Sequence, residues 1–556
     1  MLLDSLTKNN AFISRTDNVY RYHLMLQQCT RHHFSQKPLE YQQRSHTSLG
    51  DWFMEQGDYL QAYYSYAKAQ NYGKILSCIE ADRCLSLNGE HAEDFFSWIA
   101  NCPEETRLAY PSALTISMLA MFSFNNIPEL KRLKALLLKS LDLNTSLSEE
   151  DKNNLLGDAE ISESLTAYNN ISAMSEYHRR ACALLTRPTY SVDPNDAWTF
   201  GSPSILMMYH RTVGLADTES EEMTSCMPYY YRVTGGHGNG AELVFQAELH
   251  YERGNFIDAE IANKIAMSAA RRDRQYSIML AGEFLNMRLE LLRGNFNRIE
   301  AGMNELRELF RREKQYTLLS TLDICQVFIA SMLARPQDAP EWLAEGRLSE
   351  TLTLFPAMPM LNTYYNQMLL AGGEYTELIA RREECQELYG VFNNVLCIVW
   401  LHIQLAVALG KIDRPDEAVD ELRAALALAL PDGMIMPFAE NWIWLSDLSS
   451  RLSDEEKHPA YLDEISRLAE MVQSGRKKIL ETYFSEPGDY GLSDRELEIA
   501  RLASQRLTTA EIAEKLHLSP GTVQNHLSRI FSKLEISGTG KNKRLELEKF
   551  FAAPDP

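Results

Sequence analysis

Through most of the chain, apolar residues recur three and four positions apart, as in AELVFQAEL (241–249), and period-two alternation is scarce. Such spacing gathers the apolar side chains into one stripe of a helix with about 3.6 residues per turn, so the pattern predicts an all-α protein. A longer period overlies it. HYERGNFIDAE (250–260) and ELLRGNFNRIE (290–300) repeat at a spacing of 40 residues, with Gly254-Asn255-Phe256 matched by Gly294-Asn295-Phe296. Related punctuation stands at Gly57-Asp58-Tyr59 and Gly373-Glu374-Tyr375. In each case the glycine is expected to close one helix in a left-handed cap, the Asn or Asp to start the next, and the aromatic ring to dock the turn on its neighbour. The middle of the chain is therefore expected to be an array of helical hairpins.

Two stretches depart from this pattern. Between Asp193 and Gly240 the chain is rich in aromatics and glycine, as in WTFGSPS (198–204) and MPYYYRVTGGHGNG (227–240). Irregular backbone inside a helical array can aim polar groups that helices cannot, which makes Trp198, Phe200, Tyr229, Tyr230, Tyr231 and His237 the candidate effector pocket; the plainer reading is a loop packed by its own aromatics. The other stretch lies near the end. SDRE (493–496) and TTAE (508–511) match the capping box, and Ser519-Pro520 places a cap oxygen before a proline at the first helical position, so three short helices begin there. On the third, Val523, Leu527, Ile530, Phe531 and Leu534 fall in one stripe. The face opposite is centred on Asn525 and includes Ser528 and Arg529, with Gln524, Thr522 and Lys533 at its margins. No acidic residue occurs from Ser519 to Lys533. Helix, short turn and longer helix is the helix-turn-helix arrangement, and Asn, Gln and Arg on an acid-free ridge suit the edges of bases in a major groove.

Charge sharpens this picture. The 556 residues carry a net charge of −21, a balance that repels nucleic acid unless the cations are segregated. They are segregated: from Gly491 onward ten Lys or Arg face nine Asp or Glu, and residues 518–544 hold five basic residues against one acidic. Apolar residues at 45 % and charged residues at 24 % exclude a disordered or collagen-like chain. The longest apolar run, 396–409, contains His402 and Gln404 and reads as a buried helix, so no membrane span is expected. MLLDSLTKNNAFISR lacks the features of a secretory leader, which places the protein in the cytoplasm. Nine scattered cysteines without a C-x-x-C pair give neither a disulfide framework nor a zinc site. His23, His32, His33 and His210 have no carboxylates at metal or acid–base spacing, so neither an enzyme nor a cofactor is expected.

The motifs L-S-x-R-E-x-E-I-x-x-L-A (492–503), E-I-A-x-x-L (511–516) and L-S-x-x-T-V-x-N-H-x-x-x-I-x-x-K-L (518–534) resemble the LuxR/NarL-type DNA-binding domain. That resemblance implies helices at about 493–505, 509–517 and 520–535, and a fourth over 545–551 that makes a dimer contact. It implies base reading by Gln524, Asn525 and Ser528, with Arg529 adjacent. Phosphate contacts fall on Thr509, Ser519, Thr522 and Lys533, supplemented by Lys541, Lys543 and Arg544. The chain departs from the family pattern at Gln524, where a Lys is usual, at Thr509-Ala510, and in the longer SGTGKNK link. Fewer phosphate contacts imply weaker binding and a shallower salt dependence unless Lys541, Lys543 and Arg544 compensate.

Upstream, the repeats resemble a loose tetratricopeptide-like solenoid. FFSWIANCPEETRLAYPSAL (95–114) and LPDGMIMPFAENW (430–442) resemble stretches of the large ATP-dependent LuxR-type activators of the MalT-like kind. Residues 1–49, with VYRYHLMLQQ (19–28), resemble the tail of the winged-helix element that follows the nucleotide-binding domain in that class. The phosphate-binding G-x-x-x-x-G-K motif followed by Ser or Thr is absent from this sequence, so nucleotide-driven switching is not assigned to it.

The fold class expected is all-α, a tetratricopeptide-like α-solenoid followed by a small four-helix LuxR-type helix-turn-helix domain. Its divisions are a winged-helix remnant (1–45), repeats (46–470), a linker (471–490) and the DNA reader (491–556). The function expected is a sequence-specific regulator of transcription whose body senses a small-molecule or protein effector. Its partners would be double-stranded DNA, bound as a dimer, and RNA polymerase. The rival is an interaction scaffold whose terminal domain serves docking or dimerisation.

Overall fold

The computed structural model describes residues 13–16, 19–452, 458–484, 492, 494–504, 507–516, 518–534, 536, 543 and 547. The chain forms two compact units, Met1–Ser474 and Gly475–Pro556. Both are built from helices; among the described residues, strand is confined to the antiparallel pair Ile13–Thr16 and Val19–Tyr22. No helix among the described residues is long and apolar enough to cross a membrane.

The first unit is an array of helical hairpins. After helix Leu24–Ser35, which buries none of its residues, helix Leu39–Gln56 pairs with Tyr59–Lys68. The repeat read at 40-residue spacing is the hairpin Ala241–Glu252 with Phe256–Arg272, followed by Tyr276–Arg293 with Phe296–Arg312. Gly254 (φ 78°) and Gly294 (φ 71°) are left-handed, as the cap requires. At Gly254 a Cβ would also come within 2.6 Å of Leu468 Cδ1, so the close approach of helix Pro459–Ile479 depends on the missing side chain. Of the expected helix starters, Asp58 accepts from the Gln61 amide at 3.2 Å, whereas Asn255 and Asn295 occupy the cap position without a side-chain cap bond. The Asn295 amide donates instead to Glu290 Oε2 at 2.6 Å. Phe256 packs on Tyr251, with centroids 5.6 Å apart.

The apolar run 396–409 lies in the buried helix Val395–Lys411, packed on Pro415–Ala429. Its polar members are bonded: His402 Nδ1 is 2.6 Å from Glu421 Oε2, and the Gln404 amide donates to the Thr363 carbonyl at 2.9 Å. Residues 471–479, read above as the start of a linker, continue helix Pro459–Ile479. Apolar spacing decides this, because Ile465, Leu468, Ala469 and Val472 are all buried along it.

The aromatic stretch differs from its expected irregular form at one end. Met227–Thr234 belongs to the helix Ala216–Thr234 and carries Pro228 inside it. A proline normally breaks a helix, but packing on helix Ile171–Leu184 holds this one through it. The segment before it is irregular and buried, so its amides need acceptors. Three carboxylates supply them. Glu248 Oε2 accepts from the amides of Ile205 (3.0 Å) and Leu206 (2.6 Å) and from Ser204 Oγ (3.2 Å). Asp432 accepts from the amides of Gly214 (2.6 Å) and Ala216 (2.9 Å), and Glu219 from that of Arg211 (3.3 Å). Nearby, Arg288 joins Glu252 (2.8 Å) and Glu440 (3.1 Å) beneath the Tyr251 ring.

Burial pushes the Glu248 carboxyl up from 4.5 to about 8. A carboxyl raised in the folded state stabilises below its unfolded value and loses that contribution as pH rises through the folded one. The thermal midpoint of the first unit is therefore expected to fall from pH 5 to pH 8. Glu248→Gln keeps a carbonyl acceptor for the three donors without the charge, and should flatten that fall; an equally steep fall in the variant would contradict the assignment.

Candidate nucleic-acid interface and a cavity in the helical body

In the second unit, helices Asp494–Ser504, Thr509–Lys515 and Pro520–Lys533 enclose a small core. The second begins with the expected capping box: the Glu511 amide donates to Thr508 Oγ1 at 3.3 Å, and the Thr508 amide to Glu511 Oε2 at 2.6 Å. The backbone bond and the Thr508 hydroxyl hold the Glu511 carboxyl below its usual value. The third begins where Ser519 Oγ accepts from the Thr522 amide at 3.0 Å, with Pro520 following. Arg495 Nη2 donates to the Leu516 carbonyl at 2.8 Å and ties the first helix to the end of the second. Ser493, the cap expected for the first helix, lies outside the described residues.

The stripe Val523, Leu527, Ile530, Phe531 and Leu534 is buried, and it joins Ile499, Ala500, Ala503, Ile512 and Ala513 in the core. Sealing that side fixes the other: Gln524, Asn525, Ser528 and Arg529 are all exposed. The Ser528 hydroxyl donates to the Gln524 carbonyl at 3.0 Å, so toward an outside partner it offers lone pairs. Thr522 is half-buried, and its hydroxyl meets that of Ser519 at 2.8 Å.

The expected phosphate cations are placed less uniformly. Lys533 Nζ lies 2.6 Å from Glu496 Oε2, and Glu496 is only 4 % exposed. Lys543 stands over the Phe531 ring, 5.5 Å from its centroid, and so lies against the buried stripe. Thr509 is half-buried in the first turn of its helix; Lys541 and Arg544, like the fourth helix expected over 545–551, lie outside the described residues. The Lys533–Glu496 pair was not foreseen, because SDRE gave Glu496 a local capping role that draws attention from a partner 37 residues away.

In the first unit, four of the six candidate pocket residues meet. Trp198, Phe200, Tyr230 and His237 line a cavity of about 100 Å³ together with residues spread from Leu119 to Leu354. Trp198 stacks on Tyr209 at 5.2 Å between centroids. Gly238 (φ 77°) lies edge-on to that indole, and a Cβ there would fall 2.5 Å from Trp198 Cδ1. Tyr229 and Tyr231 point elsewhere, since neighbours on a helix diverge by about 100°. Tyr229 is exposed beneath the Arg179 guanidinium, and the Tyr231 hydroxyl donates to Glu242. His178, Ser164, Asp196 and Tyr209 are also in the wall; Asp196 and Tyr209 lie within the irregular stretch but were not singled out from it, whereas His178 and Ser164 come from helices well before it and gave no local signal.

Burial pushes His178 down to about 3 and His237 down to about 4, so both imidazoles are neutral. His210 behaves differently. Burial opposes its charge, but Glu219 Oε2 at 2.7 Å and Asp432 Oδ2 at 3.4 Å raise its pKa. The carboxylates that sequence spacing did not bring to His210 are thus supplied by the fold. The imidazole is fully buried among them. Among the described residues, no group of three His, Cys, Asp or Glu side chains is placed to hold a metal ion.

Residues 491–540 match the luxR family of bacterial regulatory proteins. The chain is also similar to two proteins of Bacillus subtilis (strain 168). It is 33 % identical over 78 residues to the transcriptional regulatory protein DesR, covering 13 % of this chain and 38 % of DesR. It is 47 % identical over 45 residues to the transcriptional regulatory protein LnrK, covering 8 % and 20 %. The chain thus spans less than half the length of either relative. Residues 491–540 are a LuxR-family helix-turn-helix domain, and the predominantly helical body is consistent with a MalT-like arrangement.

Replacing Lys533 by Ala removes a cation from beside a buried carboxylate, at a cost of about 1 kcal/mol for a pair whose lysine is partly solvated. Amide exchange across helix Pro520–Lys533, followed by mass spectrometry in the full chain, is expected to accelerate about fivefold. Unchanged exchange would mean the pair does not hold the helix.

Proposed function

We propose that the chain is a sequence-specific, DNA-binding regulator of transcription whose helical body receives an effector and controls the C-terminal reader. The observation that carries this reading is the exposed, acid-free ridge of Gln524, Asn525, Ser528 and Arg529 on a helix whose opposite stripe is sealed in a LuxR-family domain. Asn and Arg on such a ridge can make paired hydrogen bonds to adenine and guanine edges in the major groove. Ser519, Thr522 and Thr509 stand at or near the N-terminal turns of the second and third helices, where backbone amides and the helix dipole favour a phosphate. Lys533 and Lys543 add cationic charge to the same domain, and the sequence supplies Lys541 and Arg544 as further candidates.

The mechanism is a population shift. An effector, a small molecule or a protein, favours the state in which two readers of a dimer present their recognition helices about 34 Å apart, one turn of duplex. RNA polymerase is the downstream partner and the cytoplasm the compartment. The cavity beside Trp198, Phe200, Tyr230 and His237 is the effector site of this scheme, with Tyr229 and Tyr231 outside it.

The test is binding to duplex fragments selected from the source genome, read by fluorescence anisotropy. Asn525→Ala and Arg529→Ala are each expected to weaken the selected site by about 5- to 150-fold, the 1–3 kcal/mol of a paired base contact, with little change on unrelated duplex. Lys543→Ala is expected to weaken all sequences alike and to make the salt slope shallower by about one. Equal binding by wild type and the Asn525 and Arg529 variants would favour the docking-scaffold alternative.

A further inference from the structure

The polar groups of the cavity wall have an order that limits what it can accept. His237 Nε2 lies 3.2 Å from the Asp196 carbonyl, which can only accept, so that nitrogen carries the proton. His237 Nδ1 is then a lone pair, and the Tyr230 hydroxyl, 2.8 Å away, donates to it. A second chain runs in the same sense. Ser164 Oγ donates to the Ile161 carbonyl at 2.7 Å, so at 3.2 Å it accepts from His178 Nε2. His178 Nδ1 is therefore also a lone pair. The His178 and Tyr230 rings pack at 5.0 Å between centroids, which puts the two chains side by side.

In both chains the protons are committed to the protein and acceptors remain: the lone pairs of the Tyr230 hydroxyl and His178 Nδ1. The rest of the wall is mostly aromatic and aliphatic, with Trp198, Phe200, Tyr209 and Met174 among its members, and adds Ser123, Asp196 and Thr317. A cavity of about 100 Å³ is of the order of the one, about 150 Å³, that accommodates benzene in another protein. Neutral imidazoles offer no counter-charge to an anion, and the one carboxyl of the wall, Asp196, already accepts from the Ala197 amide at 2.7 Å and is pushed toward its neutral form by burial, so an ammonium finds no carboxylate pair.

We infer that this cavity binds an uncharged single-ring compound carrying one hydrogen-bond donor, a phenol-type hydroxyl or ring N–H, with the ring between the aromatic walls and the donor on Tyr230 and His178. The inference rests on the reading of the body as an effector receiver and names the chemical class of that effector.

Titration calorimetry on the full chain with phenol, toluene and benzoate tests it. Phenol is expected to bind one per chain, about tenfold or more tighter than toluene, with no binding of benzoate. Tyr230→Phe should remove phenol's advantage and leave toluene unchanged. Leu119→Trp, which enlarges a wall residue that is itself in neither hydrogen-bond chain, should abolish both. Toluene binding as tightly as phenol, phenol binding unaffected by Tyr230→Phe or Leu119→Trp, preference for benzoate, or no ring binding at all would each overturn the inference. Anisotropy on the selected duplex with and without phenol separates the two levels. Wild-type DNA binding in a chain that takes no ring sinks the cavity assignment alone, whereas ring binding in a chain that ignores DNA supports the cavity and sinks the regulator reading.

Discussion

A buried amide must find an acceptor, and that requirement shapes the first unit more than any single apolar contact. Helices satisfy it internally, which is why a chain of amphipathic segments can stack into an array with little side-chain chemistry at its joints. The segment before helix Ala216–Thr234 cannot do so. It survives inside the array because Glu248, Asp432 and Glu219 bring carboxyl oxygens to its amides. Charge buried for this purpose needs compensation, and His210 between Glu219 and Asp432 supplies part of it, as Arg288 does for Glu252 and Glu440. The cavity lies against this non-helical backbone, where helices cannot close up on one another.

The second unit meets its local demands in a simpler way. Thr508 and Ser519 cap their own helices, and one stripe of the third helix packs the core. Because nothing polar is asked of that stripe, the far side is left free to be chosen for another purpose. The domain thus separates the buried apolar stripe from the exposed polar ridge on one helix, about half a turn apart. Lys533 is the exception: it sits at the margin between the two faces and is drawn toward the carboxylate of Glu496.

Legibility of the sequence followed the range of the interactions. The capping box at Thr508 and Glu511, the Ser519 cap, the buried stripe and the glycine punctuation at 254 and 294 are set by residues within one or two turns, and they stand in the structure where the pattern put them. The aromatic and glycine content of 227–240 misled at its start, because Met227–Thr234 is helical, Pro228 included, and packs on a helix more than forty residues earlier. Tyr229, Tyr230 and Tyr231 looked alike as a run, but only Tyr230 faces the cavity, since a helix separates consecutive side chains.

The sequence by itself determined the helical class, the hairpin repeat, the starts of the short C-terminal helices and which face of the third is apolar, because each is a matter of spacing along the chain. Tertiary structure alone decided which carboxylates meet the buried segment before Ala216, which four of six aromatic and histidine candidates share a cavity, and that Lys533 pairs with Glu496. Those outcomes turn on contacts between residues as far as 218 positions apart, and no local preference carries information over such a span.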